Sequence, residues 1–300
     1  MAWKGVIPPM CTPVTPDGQV NVERLRDYVS FLEEGGVHGL FPCGTTGEFA
    51  SLNHEQRERV IHTTVDAAED IPVLAGCGGT SLSGVRKQVR TASATGADAA
   101  VVLTPYYMPA KESGICAFIE DVADVAELPI LVYHIPELTG QFLPTDSVLR
   151  LAEHPRIRGI KDTTGDLTRS FELIERTPDE FQVFQGHGSL ATASLNLGVD
   201  GLIAGSANIM PAAVSAIYDA YAVDDHLRGD KIFSEIMLPL IQLCSQGPSL
   251  VSTKYLSGLT GPDLGPPLPP LTPLTCDQEA TLEEAIQRIE ERQQSLTPFQ

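Results

Sequence analysis

Three hundred residues, 42% hydrophobic and 20% charged, suffice for one large α/β domain or two smaller ones, and exclude wholesale disorder, a collagen-like chain or a coiled-coil rod. Acidic residues outnumber basic ones 39 to 20, a net charge of −19, which repels phosphate backbones and anionic lipid and argues against nucleic-acid and membrane partners. No apolar run reaches the roughly 18–20 residues that span a bilayer, and the opening MAWKGVIPPM lacks a signal-peptide core, so a soluble, cytoplasmic protein is expected.

Short β-branched runs alternate with helical spacing along the chain. The runs are Val6–Val14, Gly39–Cys43, Pro72–Cys77, Ala99–Thr104, Ile130–Ile135, Ile157–Lys161, Phe181–Gln185 and Gly201–Ala204; Val22–Glu34, Glu55–Ala68, Leu82–Thr95 and Pro144–Glu153 are among the helical stretches between them. Runs buried on both faces and alternating with helices imply parallel strands, and eight such units predict an α/β (β/α)8 TIM barrel. A doubly wound sheet would want a GxGxxG turn after its first strand, where the chain has Pro-Pro and Thr-Pro instead. Pro211–Ala222 is expected to be the last barrel helix, with about three additional C-terminal helices at Asp225–Cys244, Leu250–Leu256 and Asp277–Gln294. Residues 1–224 then form the barrel and 225–300 a helical extension packed on it, with the Pro262–Pro273 stretch an extended strap across the barrel's side.

Six cysteines without a CxxC spacing, four of them in or beside apolar runs, point to buried free thiols rather than disulfides or zinc. The chain has only six lysines against fourteen arginines, and acid excess with few lysines fits a salt-loving host.

Chemistry in such a barrel lies at the C-terminal ends of the strands. The second run ends in Gly44-Thr45-Thr46-Gly47-Glu48, whose hydroxyls and tight turn suit a carboxylate but are also common loop residues. The fourth ends in Thr104-Pro105-Tyr106-Tyr107 and the fifth in Tyr133-His134-Ile135-Pro136, hydroxyls that either relay protons or pack the rim. The sixth ends in Lys161, on the inward face with Ile157 and Gly159. A lysine in a barrel mouth is desolvated, which favours the neutral, nucleophilic amine that forms Schiff bases with ketones. The competing reading pairs Lys161 with Asp162 or Glu48 for structure. Glycine-rich ends at Gly186 and Gly188, and at Ala204-Gly205, leave room for ligand; His134 and His187 have no metal-ligand spacing.

Gly44–Glu48, Tyr106-Tyr107, Tyr133-x-x-Pro136 with Thr139-Gly140, and Gly159-Ile160-Lys161-Asp162 occur together and in order, and on these motifs nearly the whole chain resembles the dihydrodipicolinate synthase / N-acetylneuraminate lyase superfamily of class I, lysine-dependent aldolases. The resemblance implies a homotetramer built as a dimer of dimers, a small-molecule 2-keto acid substrate and no metal or organic cofactor. It implies Lys161 as the Schiff-base lysine, Tyr133 as its proton-transfer partner, Thr45 and Thr46 as carboxylate ligands, and a relay of Thr46 and Tyr133 completed by Tyr107 of a neighbouring subunit. Gly186, Ala204 and Ser245 are candidate substrate contacts. The synthases carry an arginine at the position of Leu138. Its absence, with Thr253-Lys254-Tyr255, Gly258, Gly265 and the Pro266–Pro270 run, makes the chain look like archaeal 2-keto-3-deoxy-(6-phospho)gluconate aldolases. The expected activity is therefore a lyase cleaving 2-keto-3-deoxygluconate or its 6-phosphate to pyruvate and glyceraldehyde or its 3-phosphate, an Entner–Doudoroff step. A 2-keto-3-deoxy sugar acid dehydratase, and a dihydrodipicolinate synthase disfavoured by Leu138, are the alternatives.

Overall fold

A computed structural model describes residues 3–296; Met1 and Ala2 of the expected barrel segment and residues 297–300 of the expected extension lie outside them. Seven parallel strands, β1 (Gly5–Val6), β2 (Leu74–Cys77), β3 (Ala99–Leu103), β4 (Ile130–His134), β5 (Ile157–Asp162), β6 (Gln182–Gln185) and β7 (Gly201–Leu202), form one sheet in the order β1-β7-β6-β5-β4-β3-β2. The eighth stave is the expected Gly39–Cys43 run. It joins β1 to β2 through parallel bridges Pro9–Phe41 and Leu40–Val73, with Met10 N–H donating to Phe41 O at 2.9 Å and Leu74 N–H to Leu40 O at 2.8 Å. Pro8, Pro9 and Pro42 have no N–H to give the ladder, which is why this seam is bridges rather than continuous strand. The sheet closes as a (β/α)8 barrel.

Helices cover the outside. Val22–Glu34 buries Leu25, Tyr28, Val29 and Leu32 on one face, a helical period, and begins where the Asn21 side chain accepts from Arg24 N–H. Asn53, Ser81, Asp166 and Thr275 cap later helices the same way, each worth about 1 kcal/mol. Beyond Pro211–Ala222 come three more helical segments: His226–Cys244, Ser249–Thr260 and Cys276–Ser295. The first contains a π turn at Phe233–Met237, next to Pro239, whose missing N–H interrupts the α ladder. These helices share an apolar cluster (Ile236, Leu240, Leu256, Ile286) with Val6, Leu202 and Ile217 of the barrel. Among the described residues no helix is long and apolar enough to cross a membrane.

The Pro-rich strap runs over the C-terminal rim rather than the barrel's side. Leu264 O accepts from Val14 N–H at 3.0 Å and Pro269 O from Ser51 Oγ at 3.0 Å, residues that follow the first and second staves. Leu264 and Leu268 are buried there, which is what draws the strap onto the rim.

Candidate active site

Strand alternation decides which side chains meet. In the β4–β5 register Tyr133 pairs with Lys161 and His134 with Asp162, so the first two point into the barrel and the second two out toward the helices. Lys161 Nζ lies 3.9 Å from the Tyr133 ring centroid and 5.2 Å from that of Phe41. Lys161 is only 4% exposed, yet no carboxylate lies within ion-pair distance of it among the described residues. Both acids that might have held it are engaged elsewhere. Asp162, on the opposite face, takes Arg169 Nε at 2.8 Å, His134 Nδ1 at 3.1 Å and Thr164 N–H at 2.8 Å. Burial alone would raise the Asp162 carboxyl, but the His134 hydrogen bond, the Arg169 charge and Thr164 outweigh it and hold the group well below the usual carboxylate range. Glu48 is buried against Lys254 Nζ at 2.7 Å, and also accepts from Leu268 N–H.

The second-stave loop supplies the nearest hydroxyl. Tyr133 OH and Thr45 Oγ1 are 3.2 Å apart. Thr46, expected in that position, makes no side-chain hydrogen bond among the described residues. The turn closed by Glu48 N–H on Thr45 O and Gly47 N–H on Gly44 O turns Thr45, not Thr46, toward Tyr133. The N–H groups of Thr45 and Thr46 have no partner within the described chain, an arrangement that can receive a carboxylate.

Other expected residues fall in three places. Gly186 is at the site: a Cβ there would sit 3.1 Å from Lys161 Cε and 2.4 Å from Thr163 Cγ2, so only glycine leaves the lysine its room. Tyr107 is 86% exposed at the apex of a γ-turn, with φ +74° and Met108 N–H on Tyr106 O at 3.0 Å, and its hydroxyl makes no hydrogen bond among the described residues. Ala204 is buried in the cluster shared with the C-terminal helices, and Ser245 is exposed at a helix end with its hydroxyl on Ile241 O at 2.8 Å. His134 uses both ring nitrogens in the fold, since Nε2 accepts from Leu143 N–H at 3.1 Å, and His187 Nδ1 is 2.8 Å from Ser189 Oγ. Among the described residues no group of three or more His, Cys, Asp or Glu is arranged to hold a metal.

Three contributors escape a reading of the sequence. Phe41, beneath Lys161, is one more apolar residue in an apolar run. The Glu48–Lys254 pair joins positions 206 residues apart. Arg169 does leave a trace: it lies four residues before buried Leu173, a charge on the apolar face of its helix. A cavity of about 710 Å3 lined by Trp3, Lys4, His38, Pro72 and Asp98 is not the site, because those residues precede strands and so lie at the end of the barrel away from the chemistry.

Comparison with known proteins corrects the expected substrate. The 4-hydroxy-tetrahydrodipicolinate synthase of Haloarcula marismortui is 38% identical over 235 residues, 78% of this chain and 77% of its own. That of Methanothrix thermoacetophila is 34% identical over 288 residues, 96% and 97% of the two chains. The crystal structure of YagE from E. coli K12, a prophage protein of the dihydrodipicolinic acid synthase family in complex with pyruvate, superposes with a TM-score of 0.92 at 31% identity, covering 97% and 99%. Relatives bearing the synthase name over nearly the full length overturn the 2-keto-3-deoxygluconate aldolase and its Entner–Doudoroff role. Two of the features that had favoured it have a structural account instead. Lys254, in the Thr253–Tyr255 segment, is a buried partner of Glu48 and supports the loop rather than selecting a sugar, and Leu138 is a single rim residue, 60% exposed. The family's own model matches residues 2–289, and its members are enzymes that form a Schiff base with pyruvate: this chain belongs to the dihydrodipicolinate synthetase family.

Proposed function

We propose that the chain is a pyruvate-condensing synthase of the 4-hydroxy-tetrahydrodipicolinate type. The observation that carries the reading is Lys161: a lysine 4% exposed, with no carboxylate within ion-pair distance among the described residues, over a tyrosine whose hydroxyl meets Thr45 at 3.2 Å. The amine of Lys161 attacks C2 of pyruvate, and loss of water gives the iminium. The iminium draws electrons from C3, which releases a proton and becomes the nucleophilic carbon of an enamine. Tyr133 and Thr45 carry protons to and from these atoms without adding a full charge to a dry site. The N–H groups and hydroxyl of the Thr45-Thr46 turn receive the pyruvate carboxylate.

The product named for the relatives supports one choice of second substrate. Its ring bears two carboxylates and a nitrogen; subtracting pyruvate leaves a four-carbon amino acid ending in an aldehyde, aspartate 4-semialdehyde. The enamine attacks that aldehyde carbon, and the substrate's own amine then displaces Lys161 from C2 as the ring closes. Tyr107 supports a homo-oligomeric enzyme, a dimer of dimers by family resemblance: its strained, outward-facing turn suits a side chain that completes the relay of a second copy.

Borohydride reduction in the presence of pyruvate, followed by peptide mass spectrometry, tests the reading. An adduct confined to the Lys161 peptide and absent from Lys161→Ala is expected, together with pyruvate consumption that depends on the amino aldehyde. A reducible adduct elsewhere, or consumption independent of the amino aldehyde, refutes it.

A further inference from the structure

Behind the mouth, β4 and β5 carry a second arrangement on the face turned away from Lys161 and Tyr133. The β4–β5 ladder ends at the His134–Asp162 rung, because Pro136 follows and has no N–H to continue it. There the side chains take over. His134 is fully buried, and its tautomer follows from its partners: Leu143 N–H donates to Nε2, so the proton sits on Nδ1 and is given to Asp162 Oδ2 at 3.1 Å. Asp162 is neutralised by Arg169 Nε at 2.8 Å, and Arg169 reaches Thr145 Oγ1 through Nη1 at 3.2 Å. The cluster therefore has no net charge and offers Lys161 no counter-ion from behind.

The two nitrogens of His134 face different parts of the site. Nδ1 clamps β4 to β5 one residue beyond Tyr133 and Lys161. Nε2 holds Leu143, and the same segment contains Gln141, whose amide donates to Met108 O at 2.9 Å and accepts from Ala110 N–H at 3.2 Å. Gln141 thus fixes the loop that carries the Tyr107 γ-turn. One imidazole ties the Lys161–Tyr133 step to the Tyr107 loop.

We infer that His134 is a positioning residue for the reaction. Its Nδ1 bond sets the Lys161–Tyr133 geometry on which imine formation depends, and its Nε2 bond sets the Tyr107 loop on which the later proton transfers depend. The inference rests on Lys161 being the imine lysine. Displacements of about 1 Å at reacting groups cost up to roughly a hundredfold in rate, so a clamp one residue away is enough to matter.

Two substitutions separate the nitrogens. His134→Asn retains an N–H near Nδ1 and loses the acceptor for Leu143; His134→Gln retains an acceptor near Nε2 and loses the donor to Asp162. The measurement is the time course of borohydride trapping of Lys161 by pyruvate, alongside kcat for condensation and thermal unfolding by circular dichroism. His134→Gln is expected to trap about tenfold more slowly than wild type while folded. His134→Asn is expected to trap within about threefold of wild type but to lose about tenfold in condensation kcat. A merely structural histidine would give two variants with equal loss of stability and wild-type rates per folded molecule, which overturns the inference. Should His134→Gln not fold, His134→Asn decides alone: a wild-type kcat overturns the assignment, a lowered kcat with normal trapping supports it. Failure of wild type itself to trap on Lys161 would remove the proposed function and this inference with it, whereas normal wild-type trapping with unaffected variants removes only the inference.

Discussion

Lys254→Met tests how the Gly44–Glu48 loop is held. The lysine and Glu48 are 3% and 2% exposed in their side chains, and Lys254 also donates to Pro266 O at 2.8 Å. Removing one partner of a buried pair leaves the other charge uncompensated, at a cost of about 3–5 kcal/mol. Only Leu268 N–H would remain on the Glu48 carboxylate, and the strap would lose its tie to the helix Ser249–Thr260. At roughly 2–3 °C per kcal/mol for a chain of this size, the melting temperature should fall by about 6–15 °C. Adding Glu48→Gln to Lys254→Met removes the stranded charge while keeping an acceptor for Leu268, so the double variant should recover part of the loss. Differential scanning calorimetry at neutral pH reads both values. A single variant melting within 2 °C of wild type would refute the reasoning (about 1 kcal/mol at that scale). So would a double variant less stable than Lys254→Met, since the penalty would then not come from the unpaired carboxylate.

Leu138→Arg lies on the exposed short helix Pro136–Thr139 and should leave the core untouched. If the aldehyde's carboxylate reaches this rim, a charge-assisted bond of about 1.5–3 kcal/mol should lower its KM by roughly ten- to a hundredfold, with the pyruvate KM unchanged; steady-state kinetics show which. Asp162 is held below its unfolded value, near 3.9, so the stability it contributes is complete above about pH 4 and lost as pH falls further. Acid unfolding of wild type should accordingly be steeper below pH 4 than that of Asp162→Asn, which starts from lower stability at neutral pH; parallel curves would contradict this. Burial pushes the Cys11 and Cys43 thiols up to about 12, whereas Cys276 is the exposed cysteine, so iodoacetamide on the folded protein at about pH 8 should modify Cys276 and leave Cys11 and Cys43 intact by mass spectrometry.

The sequence by itself determined the barrel and the candidate residues at its strand ends, because both are local. Burial on two faces writes a strand as an apolar run, a covering helix writes its own period, and alternation along Ile157–Lys161 puts the lysine on the inner face whatever the neighbouring strands do. Val22–Glu34 and Pro211–Ala222 came through with the limits their spacing implies. Lys161 stood out because it ends an apolar run with an amine, and the family resemblance, not position alone, picked Tyr133 from the other rim hydroxyls.

What only the tertiary structure decided depends on partners far apart in the chain or on a turn's exact shape. Thr45 and Thr46 are indistinguishable as letters, and the hydrogen bonds of the Gly44–Glu48 turn choose between them. Lys254 read as a mark of substrate class until Glu48 appeared against it, 206 residues away. His134, without metal-ligand spacing, had no role legible in the sequence, yet a buried N–H on one nitrogen and a carboxylate on the other fix its proton and make it part of the frame. A side chain's role follows from the groups within a few ångströms of it, and a linear chain does not specify that distance until it has folded.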